Sequence, residues 1–239
     1  MLNRFVQKLS RFSDLSLGEI AAVEKATARS RKVAGRVDLI REGDDTGPLL
    51  VMLDGWSMRY KILPNGSRQI MAFLMPGDAC DLHIGLLDQM DHGIQTLTRS
   101  QVASVPGGEM ERLIEDHRGI ARAMYISQLV DEGTLRSWII SMGRRSGVER
   151  VAHLICELYI RATWQGLTSA EFELPFSQTI LADALGMTPV HINRMLRDLR
   201  VASVVVLRRG YITIQDPARL ARIAGFDESY LHRRLSQAN

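Results

Sequence analysis

Residues 188–199, TPVHINRMLRDL, carry side chains whose types and spacing suit the reading of a polar surface. With a helical advance of roughly 100° per residue, Ile192, Met195, Leu196 and Leu199 fall on one face. Val190, Arg194 and Arg197 fall on the opposite face, with His191 and Asn193 on its flanks. An arginine can donate two hydrogen bonds to guanine, an asparagine can pair with adenine, and a valine can touch a thymine methyl, so this face suits the major groove of duplex DNA.

Such a helix needs elements that start it and hold it. Thr188 is placed to cap its N-terminus, and Pro189 occupies the first helical position, where a missing N–H costs nothing. Upstream, Ile180, Leu181, Ala184 and Leu185 recur at helical spacing behind Ser177 as N-cap and Gln178, and Gly186 ends that helix where a residue without Cβ is favoured. Residues 177–200 therefore read as a helix-turn-helix, with Ser177 and Gln178 as anchors on the DNA backbone. The β-prone run from Val201 to Leu207, the turn at Arg208, Arg209 and Gly210, and a return through Tyr211–Ile214 read as a hairpin wing. Its arginine tip would reach a phosphate.

Charge supports this placement. The whole chain of 239 residues carries a net charge of only +3, but from residue 190 onward nine arginines face four acids, with no lysine. A positive C-terminal region on a near-neutral chain fits phosphate binding. The hydrophobic content of 46% is normal for packed cores. The two cysteines, Cys80 and Cys156, make neither a disulfide framework nor a metal cluster. No apolar run approaches membrane-span length and no signal-peptide core is present, so the expected location is the cytoplasm, without membrane partners.

The first half is patterned differently. Between Val33 and Val105 the β-prone runs VDLI, PLLVML, SMRYKIL, RQIMAFL, IQTLT and VASV are separated by turn residues, which predicts an antiparallel β-roll of jelly-roll type after one or two short helices within 3–28. From Glu109 to about Ser141 a long helix is expected, apolar on two sides, with Ile120, Met124, Leu135, Trp138 and Met142 assigned to a dimer interface. Gly143 and Gly147 are expected to loosen the chain before a further helix, Val148–Thr163. The fold class is thus α+β, divided into a sensor roll (1–108), a dimerisation helix (109–143) and a winged helix-turn-helix domain (144–239).

The order of these parts resembles the Crp/Fnr family of bacterial transcription regulators, through IREGD at 40–44, LDGWSMRY at 53–60, LMPGD at 74–78, GMTPVHINRMLRDLR and LRRGYITIQD. The resemblance covers nearly the whole chain. It implies a homodimer that binds a palindromic operator on double-stranded DNA in response to a signal, with RNA polymerase as a further partner. Two departures bear on the signal. Where the family's cyclic-nucleotide receptors carry a glycine–glutamate pair and an arginine–serine pair, this chain has Asp81 and Leu82, then Met90, Asp91 and His92, which argues against a cyclic nucleotide. Residues 1–30 hold no cysteine, which argues against an iron–sulfur cluster. The family's glutamate-x-x-serine-arginine reading set appears as Val190, Asn193 and Arg194, so only the arginine carries over.

Cys80, Asp81, His83 and His92 remain as effector-binding candidates. Cys80 and His83 offer ligand types suited to haem, although a buried core cysteine and a hydrogen-bonded histidine account for them more simply, and four zinc ligands cannot be assembled. Two alternatives to a signal-dependent DNA-binding regulator stand beside this reading: a haem-based gas or redox sensor using Cys80 and His83, and a winged-helix protein-interaction module. Enzymes are disfavoured, since the chain has no P-loop, G-x-S-x-G, HExxH or dinucleotide fingerprint.

Overall fold

The computed structural model describes residues 2–81 and 87–232, which form two compact units. One consists of residues up to 61 with 72–132, and the other of residues 62–71 with 133–232.

The first unit opens with α1 (Arg4–Leu9) and α2 (Leu17–Ala26), each started by a side-chain cap, Asn3 and Ser16. The strands, of which β5 begins among the residues grouped with the second unit, are β1 (Ser30–Val33), β2 (Asp38–Ile40), β3 (Leu49–Asp54), β4 (Ser57–Ile62), β5 (Arg68–Leu74), β6 (Gly93–Thr96) and β7 (Ser100–Val105). They form two sheets, β1-β7-β3 and β2-β6-β4-β5. The first of these β-rich segments, β1, lies N-terminal to the run in which strands were expected. Val33, Leu50, Met52, Leu74, Cys80, Ile94 and Val102 fill a common core.

The PGD turn is built into this packing. A Cβ on Gly77, whose φ is 96°, would lie 2.7 Å from the carbonyl oxygen of Arg4, so only glycine lets α1 approach the turn. Asp78 then accepts from the Met75 amide at 2.7 Å and from Lys8 Nζ at 2.8 Å, fastening α1 to the roll.

The expected single long helix is two helices, α3 (Gly107–Asp116) and α4 (Arg118–Arg144). His117 is extended between them, and the Gly119 amide at the start of α4 is taken by the carboxylate of Glu19 at 2.8 Å. A side-chain acceptor for an otherwise orphaned amide allows a new helix to begin there. Gly143 does not interrupt α4, and the helical break falls at Arg145 and Ser146.

The second unit is organised around α5 (Gly147–Thr163), which packs against α7 (Pro189–Val201) and α8 (Pro217–Ala224). α6 (Gln178–Leu185) packs on α7, and β8 (Glu171–Glu173), β9 (Val205–Arg208) and β10 (Tyr211–Ile214) make an antiparallel sheet in the order β8-β10-β9. A 3-10 turn, Glu228–Leu231, follows α8.

Val201, β-prone by sequence and expected to open the wing strand, is the last residue of α7. The helix ends there and is closed by Ser203, whose φ is 55°, with Ser203 N bonded to Arg200 O and Val204 N to Leu199 O. This pair of bonds satisfies the last helical carbonyls and outweighs the local β preference. The strand begins only at Val205.

Candidate nucleic-acid interface

The helix-turn-helix is set by local chemistry. Ser177 Oγ accepts from the Ile180 amide at 3.2 Å, Gly186 adopts φ 63°, and Thr188 Oγ1 accepts from the His191 amide at 3.3 Å. Ile192 and Leu199 are buried beneath α7, and Met195 and Leu196 are half-buried. On the other side Val190 is 77% exposed, and His191, Asn193, Arg194 and Arg197 are exposed as well. The expected division of this helix into an inner and an outer face therefore holds residue by residue.

The outer face is only lightly engaged by the protein itself. Arg194 has no hydrogen bond or ion pair among the described residues, and Arg197 Nε stands 3.9 Å from Asp198 Oδ1 in an exposed pair. Asn193 Nδ2 donates to Gln178 Oε1 at 3.5 Å, which brings together one candidate from each helix. So long a bond between exposed groups is readily exchanged for a bond to another partner.

The wing tip is a two-residue loop. Arg208 pairs with Tyr211, and Arg209 (φ 50°) and Gly210 (φ 83°) are both left-handed, the backbone that joins twisted antiparallel strands. The Arg208 and Arg209 side chains are exposed and make no hydrogen bond or ion pair among the described residues.

Two family models match the chain, the cyclic nucleotide-binding domain over residues 31–117 and the Crp-like helix-turn-helix domain over 149–223. The chain is 29% identical over 213 residues to the nitrogen fixation regulation protein FixK of Bradyrhizobium diazoefficiens, covering 89% of this chain and 88% of that protein. It is 25% identical over 218 residues to the fumarate and nitrate reduction regulatory protein of Vibrio cholerae, covering 88% and 84%. In fold it is similar to FixK2 from Bradyrhizobium japonicum, with a TM-score of 0.74 at 20% identity over 83% of this chain and 98% of that one. The chain belongs to the Crp/Fnr family. It is a transcription regulator with a DNA-binding helix-turn-helix, not an enzyme.

The effector candidates of this Crp/Fnr regulator lie in and beside the core of the roll. Cys80 is buried in the core cluster, and its thiol is pushed up to about 12, first by burial and further by Asp78 and Asp81, against the opposing pull of Arg59. His92 is buried with Nδ1 2.6 Å from Asp91 Oδ1 and Nε2 3.5 Å from Asp81 Oδ2. His83 lies outside the described residues. Cys80 is thus placed as a core side chain, and His92 as a buried ring hydrogen-bonded to Asp91.

The carboxylates of Asp81 and Asp91 beside His92 set negative charge there, which repels a phosphate. Sequence reasoning missed the roll's interior cation, Arg59. It pairs with Ile94 across the sheet and donates through Nη2 to Cys80 O at 2.8 Å, while its Nε is buried without a hydrogen-bond partner among the described residues. Its signal was an arginine at an inward position of SMRYKI.

The side chains expected at a dimer interface lie mostly inside the chain. Ile120, Met124 and Trp138 are buried within their own chain, Met142 is half-buried, and of the expected set only Leu135 is exposed. Trp138 is committed inward, since its Nε1 donates to Glu157 Oε2 at 2.9 Å. The exposed apolar side chains of α4 are Tyr125, Leu129, Ile139 and Ile140, turned away from the buried set by the 100° advance, with Leu135 at the edge of that set. Two apolar faces were legible; which of them the chain covers for itself was not.

Also unread in the sequence was a buried polar cluster on α5. Glu157 is fully buried and accepts from Trp138 Nε1 and from Tyr230 OH at 3.1 Å, with Arg161 Nη1 at 3.4 Å from its other oxygen. His153 stacks on Tyr230, and desolvation drives its pKa down to about 4 with help from Arg145. The available signal was an acid and a histidine within the apolar run AHLICELYI.

Proposed function

We propose that this regulator acts as a homodimer, in the cytoplasm, on a roughly palindromic operator and in response to a signal other than cAMP. Two copies join through the outer face of α4, with Tyr125, Leu129, Ile139 and Ile140 at the seam. Each presents α7 to a major groove, the two half-sites lying about one helical turn apart. Asn193, Arg194 and Arg197 supply base or phosphate contacts, with Thr188, Val190 and His191 beside them. Ser177, Gln178, Arg208 and Arg209 hold the DNA backbone. The signal acts on the roll and shifts the winged domains about Arg145 and Ser146 between two states.

The observation that carries this reading is the outer face of α7, where exposed base-reading side chains lie directly opposite Ile192 and Leu199 and Arg194 is left unengaged.

Selection of binding sequences from a random duplex pool tests it, followed by titration of the recovered site at several salt concentrations. A palindromic consensus is expected, with affinity falling steeply as salt rises and falling again on Arg194→Ala. Sequence-blind binding that ignores this substitution would sink the proposal. For the dimer, sedimentation of Ile139→Glu is expected to give monomer; an unchanged dimer would move the seam elsewhere.

A further inference from the structure

Arg150, in the first turn of α5, joins two helix ends that are remote in sequence. Its Nε donates to the carbonyl of Arg145 at 2.9 Å, just past the end of α4, and its Nη1 donates to the carbonyl of Leu185 at 3.3 Å, the last residue of α6. Terminal helical carbonyls lack intrahelical partners and carry the negative end of the helix dipole, so a cation is favoured at both. A guanidinium serves two such acceptors at once because its donors are fixed in one planar fork, which an ammonium group cannot reproduce.

A second, independent contact involves the same stretch of chain. A Cβ on Gly147 would lie 3.1 Å from Met195 Sδ and 3.3 Å from Met187 Sδ, so the start of α5 is pressed against both α7 and the turn before it.

We infer that Arg150 is a positioning residue for DNA recognition, clamping the helix-turn-helix turn to the end of α4. The inference rests on the reading of α7 as the DNA-contacting helix. Leu185, Gly186 and Met187 lead directly into Thr188 and Pro189, so a shift at the Leu185 carbonyl re-aims every side chain on the outer face of α7. Arg150 itself does not touch DNA in this arrangement. It ties the direction of α7 to the segment at Arg145 and Ser146 where the helical path breaks.

The test compares the wild-type chain with Arg150→Met and Arg150→Lys on the selected duplex and on a scrambled duplex, across a salt series. Both variants are expected to lose about tenfold in the ratio of specific to non-specific affinity, the order of one charge-assisted hydrogen bond. Their salt slopes on the scrambled duplex should match the wild type, because no phosphate contact is lost. A salt slope reduced by about one with the ratio unchanged would make Arg150 an ordinary phosphate contact instead. Full recovery with lysine would also overturn the clamp, since charge alone would then suffice.

Amide exchange of Gly186 and Met187 in the free protein supplies a readout without DNA. It should speed up at least tenfold in Arg150→Met, and unchanged exchange overturns the clamp even where DNA binding is altered. A wild-type chain with no sequence preference but faster turn exchange in the variant would instead reject the DNA reading and leave the clamp standing as structure.

Discussion

The roll and the winged unit spend the same residue types in opposite ways. In the roll, Asp78 is tied to Lys8 and the Met75 amide, Cys80 is a core side chain and His92 is wedged beside two carboxylates. In the winged unit one set turns inward, Glu157 with Trp138, Tyr230 and Arg161, while a second set on α7 and the wing faces solvent with few partners. The difference separates polar residues that build the fold from those left for another molecule. A buried polar group must be satisfied internally or destabilise the chain, whereas an exposed arginine without a partner contributes little to stability and remains free to meet a phosphate or a base.

The largest test of that contrast is Glu157→Ala. It leaves the Trp138 indole, the Tyr230 hydroxyl and the Arg161 guanidinium without their shared acceptor, and is expected to lower unfolding stability by about 3–5 kcal/mol in urea titration. A loss below about 1 kcal/mol would mean that the cluster is not holding α4, α5 and the C-terminal turn together.

Acid should expose the second inward group. The pKa of His153 is depressed to about 4 in the folded chain, so below its ordinary value of 6.5 the unfolded state binds more protons than the native state. Stability is therefore full above about pH 6.5, falls as pH drops towards about 4, and levels off below that, with a total loss of up to about 3 kcal/mol. In His153→Phe, which keeps a ring beside Phe226 and Tyr230, this part of the pH dependence should vanish in urea midpoints measured between pH 7 and 4.

On the outward set the sign of the comparison reverses. Arg194→Ala should weaken binding to the selected operator by about 1–3 kcal/mol per half-site while changing unfolding stability by no more than about 0.5 kcal/mol. If its thermal stability dropped as far as its DNA affinity, Arg194 would belong with the fold-building residues after all.

The smallest effect is expected at the wing. Arg209 already has a left-handed backbone, so Arg209→Gly should leave stability within about 0.5 kcal/mol, and the salt dependence of DNA binding should decrease by about one unit per subunit. An unchanged slope would remove the wing tip from the phosphate contacts.

Most of the helix-turn-helix was determined by the sequence itself, because its specification is local. The Ser177 and Thr188 caps act over three residues, Gly186 supplies a left-handed turn, and the spacing of Ile192 and Leu199 defines the buried side of α7. The succession of strands β2 to β7 was similarly visible through turn residues between apolar runs, whereas β1 and the pairing of the strands were not. Where local preference competed with a helix end, as at Val201, or with a side chain from afar, as at Gly119 and Glu19, the boundary moved.

Only the tertiary structure decided which apolar face of α4 is consumed by its own chain, that Cys80 belongs to the core, and that Arg150 reaches a carbonyl 35 positions away. The physical reason is one of range. Caps and turns are fixed by bonds among near neighbours, whereas burial and the pairing of polar groups depend on which distant segments the fold brings together.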